Sequence, residues 1–199
     1  MLTKPITGHL ILIMAPSGSG KGLLIKHLRD TLTHARFPVS CTTRTMRPGE
    51  TEGEMYYFIT REDFEQRIKD DLFLEWAEFG GDLYGTLKSE ILPPLEQGEL
   101  VIREVELQGI LAFREIIPRE HYTVIYVEAG AWDVLCKRIL ARAPITDEQL
   151  ELRRLRYLEE SKAKVFADKI IENNENRLED AKLELQHFIE TISQKISGV

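Results

Sequence analysis

HLILIMAPSGSGKG, residues 9–22, is the stretch from which the rest of the chain is read. His9 to Met14 is a short apolar run that passes straight into a glycine-rich loop, the pattern of a strand buried on both faces. Beyond the loop the apolar period changes. Leu24, Leu28 and Leu32 recur at helical spacing from Lys21 onward, so a helix follows. Between them, Ala15-Pro16-Ser17-Gly18-Ser19-Gly20-Lys21-Gly22 has the spacing of a Walker A loop, whose successive backbone N–H groups converge on a phosphate chain. The glycines let the backbone turn tightly and approach the anion, the helix amino end adds positive dipole, and Lys21 reaches the β- and γ-phosphates. Two positions depart from the usual loop. Ala15 replaces its first glycine, which a negative φ tolerates. Gly22 replaces the Ser or Thr whose hydroxyl binds Mg²⁺, leaving that ion to phosphate oxygens and water.

Outward from this unit, strand and helix alternate. Buried strands are expected at Leu100–Glu106, Thr123–Val127 and Lys169–Ile171, and helices at Gly109–Ile117, Trp132–Ala141, about 146–164 and about 177–192. Thr146 with Gln149 forms a capping-box pattern, and Thr60 is placed to cap a short helix through Phe64 and Ile68. Repeated strand–helix units imply a parallel sheet covered on both faces, an α/β/α sandwich. Residues 37–91 interrupt the rhythm with shorter strands at Val39–Cys41, Tyr56–Ile59 and Leu72–Ala77, and read as an insertion carrying a site of its own.

The bulk numbers limit the partners. A length of 199 residues suits one compact domain, and a net charge of −7 disfavours general attraction to nucleic acid without opposing a local anion pocket. Cys41 and Cys136 form no metal-ligand cluster and fit a reducing compartment. No apolar run approaches the roughly 20 residues of a membrane span, and Met1 to Gly8 lacks a leader pattern, so a cytoplasmic location with no membrane partner is expected.

The second site is sought in Ser40-Cys41-Thr42-Thr43-Arg44-Thr45-Met46-Arg47-Pro48-Gly49-Glu50. Two guanidiniums three residues apart, on a stretch stiffened by Pro48 and Gly49, are suited to gripping one phosphate through charge-assisted bonds, with Tyr56 and Tyr84 as added hydroxyl donors. Farther on, Glu104 and Glu106 lie two apart on one strand face at a carboxyl end.

Taken together these motifs resemble guanylate kinase, over about Gly8 to Ile192. The resemblance rests on the A-P-S-G-x-G-K loop, the Ser40-to-Glu50 segment, Gly53-x-x-Tyr56-x-Phe58, Phe73-Leu-Glu75-Trp-Ala-Glu78, Tyr84-Gly85-Thr86 and Gln108-Gly109. It implies a P-loop NTPase fold: a core of about 1–36, 92–136 and 154–199, a GMP-binding insertion of about 37–91, and a lid of about 137–153. It further implies transfer of the γ-phosphoryl of ATP to GMP, and to dGMP, with Mg²⁺, by a monomer or homodimer.

Residue by residue, the resemblance assigns ATP to the loop Ala15–Gly22 and to Asn173. Arg44, Arg47, Tyr56 and Tyr84 would bind the GMP phosphate, and Ser40, Glu75 and Thr86 the guanine edge. Glu75 suits that role chemically, because guanine offers N1–H and N2–H₂ to a carboxylate and adenine does not. Glu104 and Glu106 stand where the family has Asp-x-Asp near the metal and the GMP base or sugar. Arg138 and Arg142, four apart on one helix face, would be lid arginines reaching the ATP phosphates, joined by either Arg153 or Arg154. Ala141-Arg142-Ala143-Pro144 replaces the family's flexible Gly-Arg-Gly. Gly22, the two Glu-for-Asp changes and this stiffened lid leave open a catalytically impaired phospho-ligand binding module. A kinase for another nucleotide or sugar phosphate is the other alternative, opposed by Ser40 and Glu75.

Overall fold

The computed structural model describes residues 4–16, 18–142 and 145–198, apart from the side chains of Arg142 and Ser197. The expectations for Ser17, the Arg142 side chain, Ala143 and Pro144 therefore lie outside the described residues. The core is a four-stranded parallel sheet in the order β6-β1-β7-β8, made of β1 (His9–Met14), β6 (Leu100–Glu104), β7 (Tyr122–Glu128) and β8 (Lys169–Glu172). Arg36 extends the β6 edge by one bridge: its N–H donates to the Leu100 carbonyl at 2.8 Å and its carbonyl accepts from Ile102 N–H at 2.8 Å.

Strand parity explains why β1 is apolar throughout. Leu10, Leu12 and Met14 enter one cluster with Ile91 and Leu95 of α3 (Lys88–Glu96) and Ile110 and Phe113 of α4 (Leu107–Ile116). Ile11 and Ile13 point the other way, to Leu24 and Leu28 of α1 (Lys21–Thr31) and Ala181, Leu185 and Ile189 of α7 (Leu178–Ser197). The result is the three-layer α/β/α core expected of the P-loop NTPase fold.

The second sheet has the order β3-β2-β5-β4, with β2 (Ser40–Thr42), β3 (Tyr56–Phe58), β4 (Phe73–Phe79) and β5 (Asp82–Leu87). β2 and β3 are parallel, and the other pairs are antiparallel. Its back face covers a small core of Cys41, Phe64, Phe73 and Leu83, with Phe64 supplied by α2 (Arg61–Lys69). Thr60 caps α2 by accepting from Asp63 N–H at 3.1 Å. The two capping-box bonds between Thr146 and Gln149, each 3.2 Å, start α6 (Asp147–Lys162), which follows α5 (Trp132–Arg142).

Three local expectations are corrected. The sequence reading ends a strand at Ala77 and has none over 82–87, whereas β4 runs to Phe79 and returns as β5. Gly80 and Gly81, at φ 61° and 88°, make the two-residue turn that joins them. The sequence reading also has no helix over 88–96, where Pro93 and Pro94 each lack a backbone donor. Burial of Ile91, Leu92, Pro94 and Leu95 holds α3 helical regardless. Finally, the strand expected to reach Glu106 ends at Glu104, and Glu106 becomes the residue that precedes α4.

Candidate active site

The phosphate loop is shaped by two left-handed glycines, Gly18 at φ 83° and Gly20 at φ 82°. Side chains are strained there, and a Cβ on Gly20 would stand 2.7 Å from Asn173 Nδ2. That carboxamide donates to the Ser19 carbonyl at 2.6 Å, and Ser19 N–H donates to the Pro16 carbonyl at 3.1 Å. Asn173 is buried, and its side chain is thus committed to the loop backbone. Arg138 completes this support by donating to the Asn173 carbonyl at 3.3 Å. Lys21 opens α1, and its ammonium pairs with Glu104 Oε1 at 2.9 Å.

Opposite the loop, the register of the second sheet aligns four strands. Tyr56 pairs with Ser40, Ser40 with Thr86, and Thr86 with Glu75, so one cross-strand row runs from β3 to β4. The next row is Phe58, Thr42, Tyr84 and Ala77. Both rows share the front face, since residues two apart on a strand point the same way. A register shift between Phe73 and Glu75 makes this possible. Phe73 pairs with Leu87 and packs into the back core, whereas Glu75 pairs with Thr86 and faces forward. Without that bulge the two side chains would lie on one face.

Front face, α1 and the carboxyl end of β6 enclose a cleft of about 360 Å³. Ser40, Tyr56, Glu75 and Tyr84 line it together with Lys21, Glu104 and Glu106. Thr86 is buried behind Glu75 and donates its hydroxyl proton to Glu75 Oε1. Burial first, and then the Glu104 charge, raises the Tyr56 phenol above its ordinary pKa, so it stays a neutral donor. The Glu104 and Glu106 pair is exposed to the cleft, not buried.

Arg44 stands beside this lining. Its guanidinium donates to both oxygens of Glu50, at 2.8 and 3.0 Å, and lies 5.5 Å from the ring centres of Tyr56 and Phe58. The Arg44 hydrogen bond, followed by one from Arg47 N–H, holds the Glu50 carboxyl below its usual range. The Arg47 side chain is exposed and outside the cleft lining. On α6, Arg154 is exposed and paired with Glu151 at 2.9 Å, whereas Arg153 is half-buried on the face it shares with Tyr157 and Glu160. The backbone of Arg142 lies in α5 one helical turn after Arg138.

Glu50, Arg29 and Arg103 were not singled out by sequence. Arg29 and Arg103 line the cleft, and Arg103 Nη2 lies 3.6 Å from Glu75 Oε1. The signal for Glu50 was its place in the Arg44–Arg47 segment. Nothing in the local pattern marks Arg103.

Among the described residues no group of three or more His, Cys, Asp or Glu is placed to hold a metal ion. Glu104 and Glu106, at the same edge of the core sheet as the phosphate loop, fit a Mg²⁺ that keeps its waters and takes phosphate oxygens. A Cβ at Gly22 would meet nothing within 4 Å, so the missing hydroxyl is not a matter of room. No helix among the described residues is long and apolar enough to cross a membrane.

Residues 7–192 match the family model described as guanylate kinase. A guanylate kinase of Rubrobacter xylanophilus is 36% identical over 183 residues, covering 92% of this chain and 95% of that one. One from Wolinella succinogenes is 35% identical over 189 residues, covering 95% and 87%. A solved guanylate kinase from Anaplasma phagocytophilum superposes with a TM-score of 0.68 at 24% identity, over 96% of this chain and 88% of that one, which speaks to the fold. A gluconokinase from Sinorhizobium meliloti shares the fold more distantly, with a TM-score of 0.51 at 15% identity over 97% and 98% of the two chains.

Proposed function

The chain belongs to the guanylate kinase family, and from that premise we propose that it transfers the γ-phosphoryl of ATP to GMP, and to dGMP, in the cleft between the phosphate loop and the second sheet. The observation that carries this reading is the cleft itself: Lys21 and the guanine-compatible Glu75 face one cavity of about 360 Å³. ATP would lie along Ala15–Gly22. Arg44, Arg47, Tyr56 and Tyr84 would hold the GMP phosphate, and Ser40, Glu75 and Thr86 the base. In this division residues 37–91 form the acceptor subdomain and 137–153 the lid, within a cytoplasmic monomer or homodimer.

The chemistry needs no general base. A GMP phosphate oxygen, ionised at neutral pH, attacks the γ-phosphorus as the bond to the β-phosphate oxygen breaks, giving GDP and ADP. The protein's work is alignment and charge neutralisation. Lys21 leaves Glu104 for the phosphates, which offer it a denser negative charge, and Glu104 is then free to turn toward the metal side. Arg138 and Arg142, whose backbones lie in α5, would be the lid arginines, and Arg153 is the α6 arginine on the half-buried face. When bound, Mg²⁺ would be held chiefly by phosphate oxygens and water, with Glu104 and Glu106 at hand, and would neutralise charge on the polyphosphate. Asn173 acts on ATP indirectly, by fixing the loop carbonyl at Ser19. Closure of the lid over the cleft excludes water, which would otherwise accept the phosphoryl group.

The test is coupled ADP release with GMP, dGMP, AMP, UMP and CMP as acceptors. Release with GMP and dGMP alone is expected. Release with none points to the binding module, and preference for a non-guanine acceptor points to another kinase.

A further inference from the structure

Arg103 has no part in the phosphoryl transfer itself, yet it occupies the acceptor side of the cleft. It sits on β6 between Ile102 and Glu104, and its side chain is only 18% exposed. Its Nη2 is 3.6 Å from Glu75 Oε1, close enough for an ion pair and too long for a good hydrogen bond. Its Nε is buried and has no hydrogen-bond partner among the described residues. Guanidinium groups stay charged and only donate, so a buried N–H without an acceptor calls for one. Arg103 also lines the cleft with Ser40, Tyr56 and Tyr84, so an acceptor bound there lies within reach of its guanidinium.

We propose that Arg103 is a specificity-determining residue of the acceptor site, donating to O6 of the guanine whose N1–H and N2–H₂ are accepted by Glu75. The proposal rests on the assignment of Glu75 to the guanine edge. Guanine presents donor, donor, acceptor along N2, N1 and O6. A carboxylate followed by a guanidinium presents acceptor, acceptor, donor, the complement of that edge. Adenine mismatches both halves: its N1 lone pair meets the carboxylate, and its N6 amino group meets the guanidinium. Arginine donation to guanine O6 is a favoured pairing wherever the two meet. Thr86 donates to the same Glu75 oxygen that Arg103 approaches, so the carboxylate is oriented from two directions while Arg103 keeps N–H groups for the base.

The experiment compares steady-state kcat/KM for GMP and for 6-thioguanosine monophosphate, which puts a weak sulfur acceptor in place of O6. Because both substrates compete for one preparation, their ratio does not depend on how much of a variant is folded. The wild-type chain is expected to prefer GMP, and Arg103→Leu to lose that preference by about tenfold or more, chiefly through KM for GMP, as expected for one charge-assisted hydrogen bond. If Arg103→Leu yields no soluble protein, Arg103→Met carries the same measurement. An unchanged ratio in the variant, or no preference in the wild type, overturns the proposal. Glu75→Gln is measured alongside with GMP against IMP, which lacks the N2 amine. If that ratio does not fall, the Glu75 reading fails. If it falls while the Arg103→Leu ratio holds, the Arg103 proposal alone fails.

Discussion

The two sheets of this molecule use the same alternation of side chains for opposite ends. In the core sheet both faces are committed to packing: Leu10, Leu12 and Met14 on one side, Ile11 and Ile13 on the other, all essentially inaccessible. Chemistry is left to the carboxyl edge, where the phosphate loop, Glu104 and Glu106 emerge. In the second sheet the back face packs on the Phe64–Phe73 stack, with ring centres 4.3 Å apart, and the front face turns Ser40, Tyr56, Glu75, Ala77 and Tyr84 to the cleft. A sheet buried on both faces makes a rigid platform with a reactive rim. A sheet buried on one face can give each front position to a ligand, at the expense of a thin core.

The contrast is testable. The largest effect is expected at the rim of the core sheet: Lys21→Ala should lower kcat/KM for GDP formation by about 10³-fold or more, acting on kcat, because a charge is removed from the transferring phosphoryl. On the second sheet, Arg44→Ala should cost about 10²-fold, chiefly through KM for GMP. Near-normal turnover in either variant breaks the assignment of its sheet. A smaller and more local effect is expected at Gly85, whose missing Cβ would lie 2.8 Å from Phe73 and 2.9 Å from Phe64. Gly85→Ala should destabilise by about 1–3 kcal/mol through overpacking. It should raise KM for GMP and leave KM for ATP unchanged; equal changes in both would show that the thin core is not independent of the thick one.

The smallest effect belongs to the far end of the core sheet. His9 accepts or donates across 2.8 Å to Thr123 Oγ1, and its pKa is lowered to about 4, first by burial and then by the charges of His121 and Arg119. A histidine whose folded pKa is depressed binds fewer protons folded than unfolded between pH 6.5 and about 4. Stability should therefore be full above pH 6.5 and decline as the pH falls toward 4. Thermal melting across that range should show a shallower decline in His9→Gln; identical slopes would remove His9 from the account.

Much of the core was legible because its signals are local. An apolar run, a glycine loop and leucines at helical spacing are all contained in residues 9–32, and the Thr60 and Thr146 caps need only three or four residues each. The β4–β5 hairpin had a local signal too, in Gly80-Gly81 between strand-forming residues, which the sequence reading does not use. α3 had none. Pro93 and Pro94 argue against a helix, and only the burial of Ile91 and Leu95 against the core sheet outweighs them.

The sequence by itself determined the phosphate-loop pattern and the strand–helix alternation of a parallel α/β/α core, because each signal is local, and its dispersed motifs carry the resemblance that points to the family. Tertiary structure alone decided which residues meet. Phe73 and Glu75 share a strand parity, and only the bulge in the β4–β5 ladder turns one to the core and the other to the cleft. Arg103 and Glu75 are far apart along the chain, and only the folding of the second sheet over β6 brings a cation to the carboxylate expected to read the base. Side-chain facing depends on register, and register is a property of two strands at once.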